Sequence, residues 1–310
     1  MKRKAVDIRD ALYSIDENIL KPEVLRQLLA YAPNSDEVER YDAYTGSVSS
    51  LSKPDQFGYQ ISRVPGFQQR LQALLFKVNF AEKVEEVKES LKCMKKASQE
   101  LRQSKKLAKV LELVLAMGNH LNKGNQRVGQ AAAFRIKFLT ELDITKTSDN
   151  RSTFLHVLAN AVHDNFPDVL KMRDELPSVP DAAKVTESVS QQTISEDLAE
   201  LRKVLQDAKS IVDKIRDISE AVTKAGSQRQ MMGCEDRFQE VMGHFISSAS
   251  DEIQSLFSLQ NSTLEEYNEM VKYFGEDPKD SNANNIFASF AQFITKFEKA
   301  HHQNVLFKRH

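Results

Sequence analysis

The sequence predicts an all-α, elongated helical domain, and three observations carry that prediction. Its 310 residues include only 10 Gly and 8 Pro, about 6% where roughly 12% is usual. Apolar residues recur at spacings of three and four instead of alternating. Leu, Ala, Glu, Lys and Gln, all favourable in helices, fill the long stretches between the few breaks. With 41% hydrophobic residues, the chain can bury a core sufficient for one elongated domain or two compact ones.

Each element follows from a local signal. From Val6 to Tyr31 the residues Ile8, Leu12, Ile15, Ile19, Leu20, Val24, Leu25, Leu28 and Leu29 mark two short packed helices, the second opened by Lys21-Pro22. Asn34 or Ser35 caps the next, with Glu37 and Glu39 in its first turn. Pro54, Pro65 and Gly66 then punctuate shorter helical pieces. Phe80 to Met117 reads as two long helices, the second carrying Leu107, Val110, Leu111, Val114 and Leu115 around much of its circumference, which calls for burial on several sides. This pattern breaks at Gly118, in the stretch GNHLNKGNQRVGQ. Two further helical patterns follow, FRIKFLTELDITKTSDN and STFLHVLANAVHDNFPDVLKM, and Pro177 and Pro180 stop the second. From Thr193 the residues Ile194, Leu198, Leu201, Leu205, Ala208, Val212, Ile215 and Val222 step as a coiled-coil seam. The working expectation is an arm packed within the chain against Phe238 to Tyr273, with Gly226 to Gly233 as the loop at its tip.

Charge and chemistry exclude several classes. Lys and Arg nearly cancel Asp and Glu to a net charge of -1, so no global field gathers nucleic acid or an anionic membrane. Cys93 and Cys234 form neither a disulfide framework nor a CxxC pair, which suits a reducing, cytoplasmic setting. No apolar run reaches the ~20 residues that span a bilayer, and MKRKAVDIRDAL has acidic residues where a signal peptide needs an apolar core. His156 and His163 share a helix face, but nothing at suitable spacing completes a metal site. No nucleophile motif is present, so no enzyme activity and no cofactor are expected. GNHLNKG lacks the Lys-Ser/Thr ending of a phosphate loop.

The break at Gly118 has a bland reading, a glycine-capped helix end with an exposed loop. Two features favour a site. Gly118 and Asn119 adjoin Leu115 and Met117, so the asparagines are expected to bond backbone. The surrounding cations Lys123, Arg127, Arg135, Lys137, Lys146 and Arg151 outnumber Glu141, Asp143 and Asp149, a local positive excess in a near-neutral chain.

At these residues the sequence resembles a known family. Gly118-Asn119-His120-Leu121-Asn122-Lys123-Gly124, then FRIKFLTEL and Thr145-Lys146-Thr147, is similar to the GNxxN signature of the formin homology-2 domain. KPDQF (Lys53 to Phe57), VPGFQQRLQALLFKVNF (Val64 to Phe80), STFLHVLA, AAKV and YFGED fall in the family's order, so the likeness covers nearly the whole chain. The TKTSDNRSTFLH wording looks nearest to the delphilin branch, without settling a subfamily.

The resemblance implies an actin assembly factor whose head-to-tail dimeric ring nucleates filaments and moves with the growing barbed end. It implies a knob over 1–75, a coiled-coil arm over 76–110 and 185–275, a post over 111–184 and a C-terminal helix over 276–310. Gly118, Asn119, Asn122, Gly124 and Phe134 would belong to the post that receives a partner's tryptophan-bearing lasso. Lys146, with Arg127, Lys137 and Arg151, would face actin, and a cation on a turn facing acidic actin is physically reasonable. Two departures stand out. Ala133 replaces the usual glycine before Phe134, and Ile144 stands where an aspartate commonly precedes Thr-Lys, with Asp143 one step earlier.

Trp is absent and the chain begins in the knob, so lasso and linker are expected upstream of Met1. A core without its clasp is expected to be a weakly nucleating monomer, since linking two bridges raises apparent affinity about 10² to 10⁴-fold. Cytoplasm and cytoskeleton are the expected location, with no nucleic-acid partner and no membrane insertion. The competing reading is a helical scaffold or membrane-curving coiled-coil module, which would need a basic stripe on one face.

Overall fold

The structure is a computed structural model that describes residues 4–125, 129–147, 150–188, 191–224, 235–279 and 283–308. Among these residues it is all-α, and the one β feature is an isolated antiparallel bridge between Lys146 and Thr153. No described helix is long and apolar enough to cross a membrane. The chain divides into two compact units, Met1–Glu86 with Asp197–Leu256, and Val87–Glu196 with Phe257–His310.

The first unit holds α1 (Ala5–Ser14), α2 (Pro22–Ala30), α3 (Ser35–Ala43) and α4 (Lys53–Ser62), with parts of α5 (Phe67–Gln103), α9 (Gln191–Lys224) and α10 (Phe238–Tyr273). Pro22 opens α2, and Asn34 caps α3 by accepting from the Glu37 amide while the Glu37 carboxylate accepts from the Asn34 amide. The apolar positions read from the sequence, Ile8, Leu12, Leu20, Leu25 and Leu28, join Ile61, Leu71, Ile215, Phe238 and Met242 in one core. One buried charge sits there. Arg70, with 0% exposure, forms a fork with the Asp236 carboxylate at 2.7 and 2.5 Å and donates through Nε to the Pro65 carbonyl at 2.9 Å. Its guanidinium also lies 4.7 Å from the centre of the Phe238 ring, so each of its three nitrogens donates at least one hydrogen bond and the charge rests beside a π face.

The second unit holds the remainder of α5, then α6 (Lys105–Leu121), α7 (Phe154–Asn165), α8 (Val179–Ser188), the rest of α9 and α10, and α11 (Ala283–Phe307). Two 3₁₀ segments, Ile136–Glu141 and Pro167–Glu175, connect these helices. Helix α11 packs on α7, α8 and the first 3₁₀ segment, burying Phe287, Phe290, Phe293 and Phe297. Ser104 separates α5 from α6: its hydroxyl caps α6 at the Leu107 amide and donates to Glu175 at 2.8 Å.

Three local expectations change. The helix does not break at Gly118, because α6 continues through Gly118 and Asn119 to Leu121. FRIKFLTEL forms a 3₁₀ segment, since Ile136, Leu139 and Leu142, spaced by three and all buried, satisfy a three-residue turn as well as an α-helical one. Pro180 opens α8 and does not only stop the preceding segment; proline is tolerated in a first helical turn. Along α9 the residues Ile194, Leu198, Leu201, Leu205, Ala208 and Ile215 are buried within the chain and Val212 is half-buried. The side chain of Val222 and the stretch Gly226 to Gly233 lie outside the described residues.

Candidate functional site

The end of α6 builds one side of the site. Asn119 sits in the last helical turn, where its amide donates to the Ala131 carbonyl and its oxygen accepts from the Ala131 amide, both at 2.9 Å. One side chain thus replaces a rung of backbone pairing and fixes where the loop returns. Asn122 is the C-cap; its amide side chain donates to the Gly118 carbonyl at 2.9 Å, a second bond to a carbonyl that already accepts from the Asn122 backbone amide at 3.1 Å. Gly124 takes φ 95°, a positive-φ conformation that glycine adopts without the steric penalty of a Cβ. A Cβ on Gly129 would lie 2.5 Å from the Asn122 carbonyl oxygen and 2.8 Å from that of Asn125, so the close approach in this loop occurs there. Gly118 faces open space within the chain, and a Cβ there would touch nothing within 4 Å.

The Lys146 turn builds the other side. Its two arms pair through the Lys146–Thr153 bridge, with the Phe154 amide donating to the Thr145 carbonyl at 2.7 Å and the Thr147 amide to the Ser152 carbonyl at 3.0 Å. Leu155 donates to the Leu142 carbonyl at 3.1 Å. Asn150, at φ 57°, takes the left-handed position that asparagine tolerates best after glycine. Lys146 itself is exposed, so a rigid base carries a solvated cation.

Between these two sides lies a groove of about 560 Å³, lined by Met117, His120, Leu121, Lys146, Phe154 and Val157 among others. Its rim leaves Leu121 68% and Val157 40% exposed, and Ile144 on the same turn is 70% exposed. Apolar side chains so exposed beside a cation mark a surface suited to a partner. Phe134 does not line the groove but supports it, through an edge contact with Phe138 at 5.8 Å and from Phe138 to Phe154 at 6.4 Å. The structure thus gathers Lys146 and the end of the GNxxN helix around one groove. Lys137 and Arg151 are exposed outside it, and Arg127 lies outside the described residues. No group of three or more His, Cys, Asp or Glu among the described residues could hold a metal ion.

The apolar rim was the feature sequence reasoning missed. A signal existed: Phe154, Leu155, Leu158, Ala159 and Val162 are the buried positions of α7, which leaves Val157 on the opposite face.

The Formin Homology 2 Domain profile matches residues 1–298. The chain belongs to this family. Among similar proteins are Disheveled-associated activator of morphogenesis 2 of Gallus gallus, 32% identical over 97% of this chain and 26% of its own length, and Protein diaphanous of Drosophila melanogaster, 30% identical over 96% of this chain and 26% of its own. Formin-like protein 20 of Arabidopsis thaliana is 27% identical over 98% of this chain and 17% of its own length. The chain therefore spans about a quarter or less of these curated relatives. The formin homology-2 match fits the all-α fold, and the GNxxN helix and the Lys146 turn lie within the matched span.

Proposed function

We propose that this formin homology-2 chain is an actin-binding module that engages the filament barbed end and, when two copies are linked, nucleates filaments and stays with the growing end. One observation carries the reading: Lys146, the position that the family resemblance assigns to actin contact, is an exposed cation on a turn pinned by backbone pairing. Preorganisation of this kind spares the ordering cost of binding. Arg127, Lys137 and Arg151 are proposed to add to the local positive field and so to steer encounter. Knob, arm, post and C-terminal helix keep the boundaries given above as proposals.

The groove beside Lys146 is proposed as the post surface that receives the lasso of a second subunit, with Gly118, Asn119, Asn122, Gly124 and Phe134 shaping or supporting it. Its apolar lining and exposed Leu121 and Val157 suit an inserted aromatic side chain. By itself the 310-residue chain is proposed to be monomeric and weak in nucleation, without the gain from two linked bridges, and to act at the cytoplasmic cytoskeleton.

The test is elongation of pre-formed actin seeds across a titration of the chain, run beside Lys146→Ala. A charged contact contributes about 1.5–3 kcal/mol, so the substitution should raise the half-maximal concentration roughly 10- to 150-fold. Absence of slowing at tens of micromolar would defeat the actin reading for this chain.

A further inference from the structure

The Lys146 turn, pinned within itself by backbone pairing, is also held from outside by one helix. On the approach to the turn, the Asp143 carboxylate meets the Lys296 ammonium of α11 at 2.7 Å, with side chains 29% and 27% exposed. Lys296 also reaches the Thr140 carbonyl at 3.5 Å. The other Asp143 oxygen is buried without a hydrogen-bond partner among the described residues. Lys296 thus neutralises a partly buried carboxylate, and removing its ammonium would leave that charge unpaired, which costs more than losing an exposed surface pair.

On the departing arm, Thr153, which faces Lys146 in the bridge, places its hydroxyl 2.8 Å from His156 Nδ1. The other ring nitrogen of His156 lies 2.9 Å from Gln303 Oε1, again on α11. Asn304, 9% exposed, donates to the His156 carbonyl at 2.8 Å. Lys296 and Gln303 are seven residues apart, two helical turns and roughly 10 Å along one face of α11. One helix therefore grips both arms of the turn, one through an ion pair and the other through an imidazole relay.

We infer that α11 sets the position of Lys146, with Lys296 and the Thr153–His156–Gln303 chain as positioning groups that touch no partner themselves. The inference rests on the reading that Lys146 contacts actin. It also accounts for the displaced acid in this chain. With Ile144 exposed and Asp143 one step earlier, the acid points to α11, and the turn keeps its anchor.

The test measures half-maximal slowing of seed elongation for Lys296→Met, Lys296→Arg, Lys146→Ala and the Lys146→Ala/Lys296→Met pair. Lys296→Met keeps the packed stem and should raise the half-maximal concentration roughly 2- to 150-fold, the range of a coupled contact. Lys296→Arg should return it to within about twofold, since Arg retains the charge toward Asp143. In the Lys146→Ala background Lys296→Met should add nothing, because its effect runs through Lys146. Additive losses, or no loss from Lys296→Met while Lys146→Ala weakens the effect, would overturn the inference alone. No change from Lys146→Ala would overturn the actin reading and the inference with it. If Lys296→Met impairs folding, Gln303→Ala replaces it, and hydrogen exchange of the Thr147 and Phe154 amides is read at an unchanged melting temperature. Faster exchange confined to these amides is expected; unchanged protection would refute the clamp.

Discussion

Asn119 offers a sharp test of how the site is built, because two hydrogen bonds of 2.9 Å join its side chain to one residue, Ala131. Asn119→Ala removes both. At a net 0.5–1.5 kcal/mol each, about 1–3 kcal/mol is lost. Alanine regains roughly 0.6 kcal/mol of helix propensity, leaving a local cost of about 0.5–2.5 kcal/mol. Asn119→Asp changes little in size and propensity but sets a carboxylate oxygen against the Ala131 carbonyl near a helix C-terminus, where negative charge costs a further 0.3–1 kcal/mol or so. Asn119→Asp should therefore destabilise the loop at least as much as Asn119→Ala. Hydrogen exchange of the Ala131 amide reads this locally, and its protection should fall roughly 2- to 70-fold in Asn119→Ala and no less in Asn119→Asp. An Asn119→Asp variant that keeps wild-type protection would refute the argument, since the donor half of the pairing would then be idle.

Other consequences follow from the same geometry. Arg70→Met leaves the Asp236 carboxylate, 13% exposed, without its cation and should cost about 3–5 kcal/mol, read as a shift in the urea midpoint. Gly129→Ala, whose Cβ would meet two backbone oxygens, should lower the melting temperature, whereas Gly118→Ala, in open helical space, should stabilise by roughly 0.5–1 kcal/mol. Burial alone would raise the Glu175 carboxyl, but hydrogen bonds from the Ser104 hydroxyl and the Lys106 amide, with the Lys106 charge, hold it below its ordinary 4.5. A carboxyl lowered in the folded state contributes stability that is present above pH 4.5 and is lost as pH falls through the lower folded value. Glu175→Gln should accordingly be less stable at neutral pH and show a flatter acid limb of unfolding.

How much was legible depended on how far apart the partners lie. The Asn34–Glu37 capping box spans three residues, and the buried stripes of α1, α2 and α9 follow from spacing alone. Arg70 is the opposite case. Within VPGFQQRLQALL it reads as a solvated position, and only Asp236, 166 residues away, makes its burial tolerable. The Asp143–Lys296 pair was hidden for the same reason, because α11 approaches the turn only in the fold. In the site, Asn119 was legible as a polar group beside apolar neighbours, whereas the positive φ of Gly124 and the close backbone contacts of Gly129 are seen only in the fold. Spacing by three in FRIKFLTEL serves a 3₁₀ turn and an α-helix equally, so periodicity could not choose between them.

The most direct measurement is site-specific photo-crosslinking to actin seeds from a probe at position 146, beside a control at Lys184, whose side chain is 76% exposed on α8. The account predicts an actin adduct from position 146 that disappears when the barbed ends are blocked beforehand, with none from position 184. Equal yields from both positions, or none from 146 under conditions where the chain slows elongation, would contradict it.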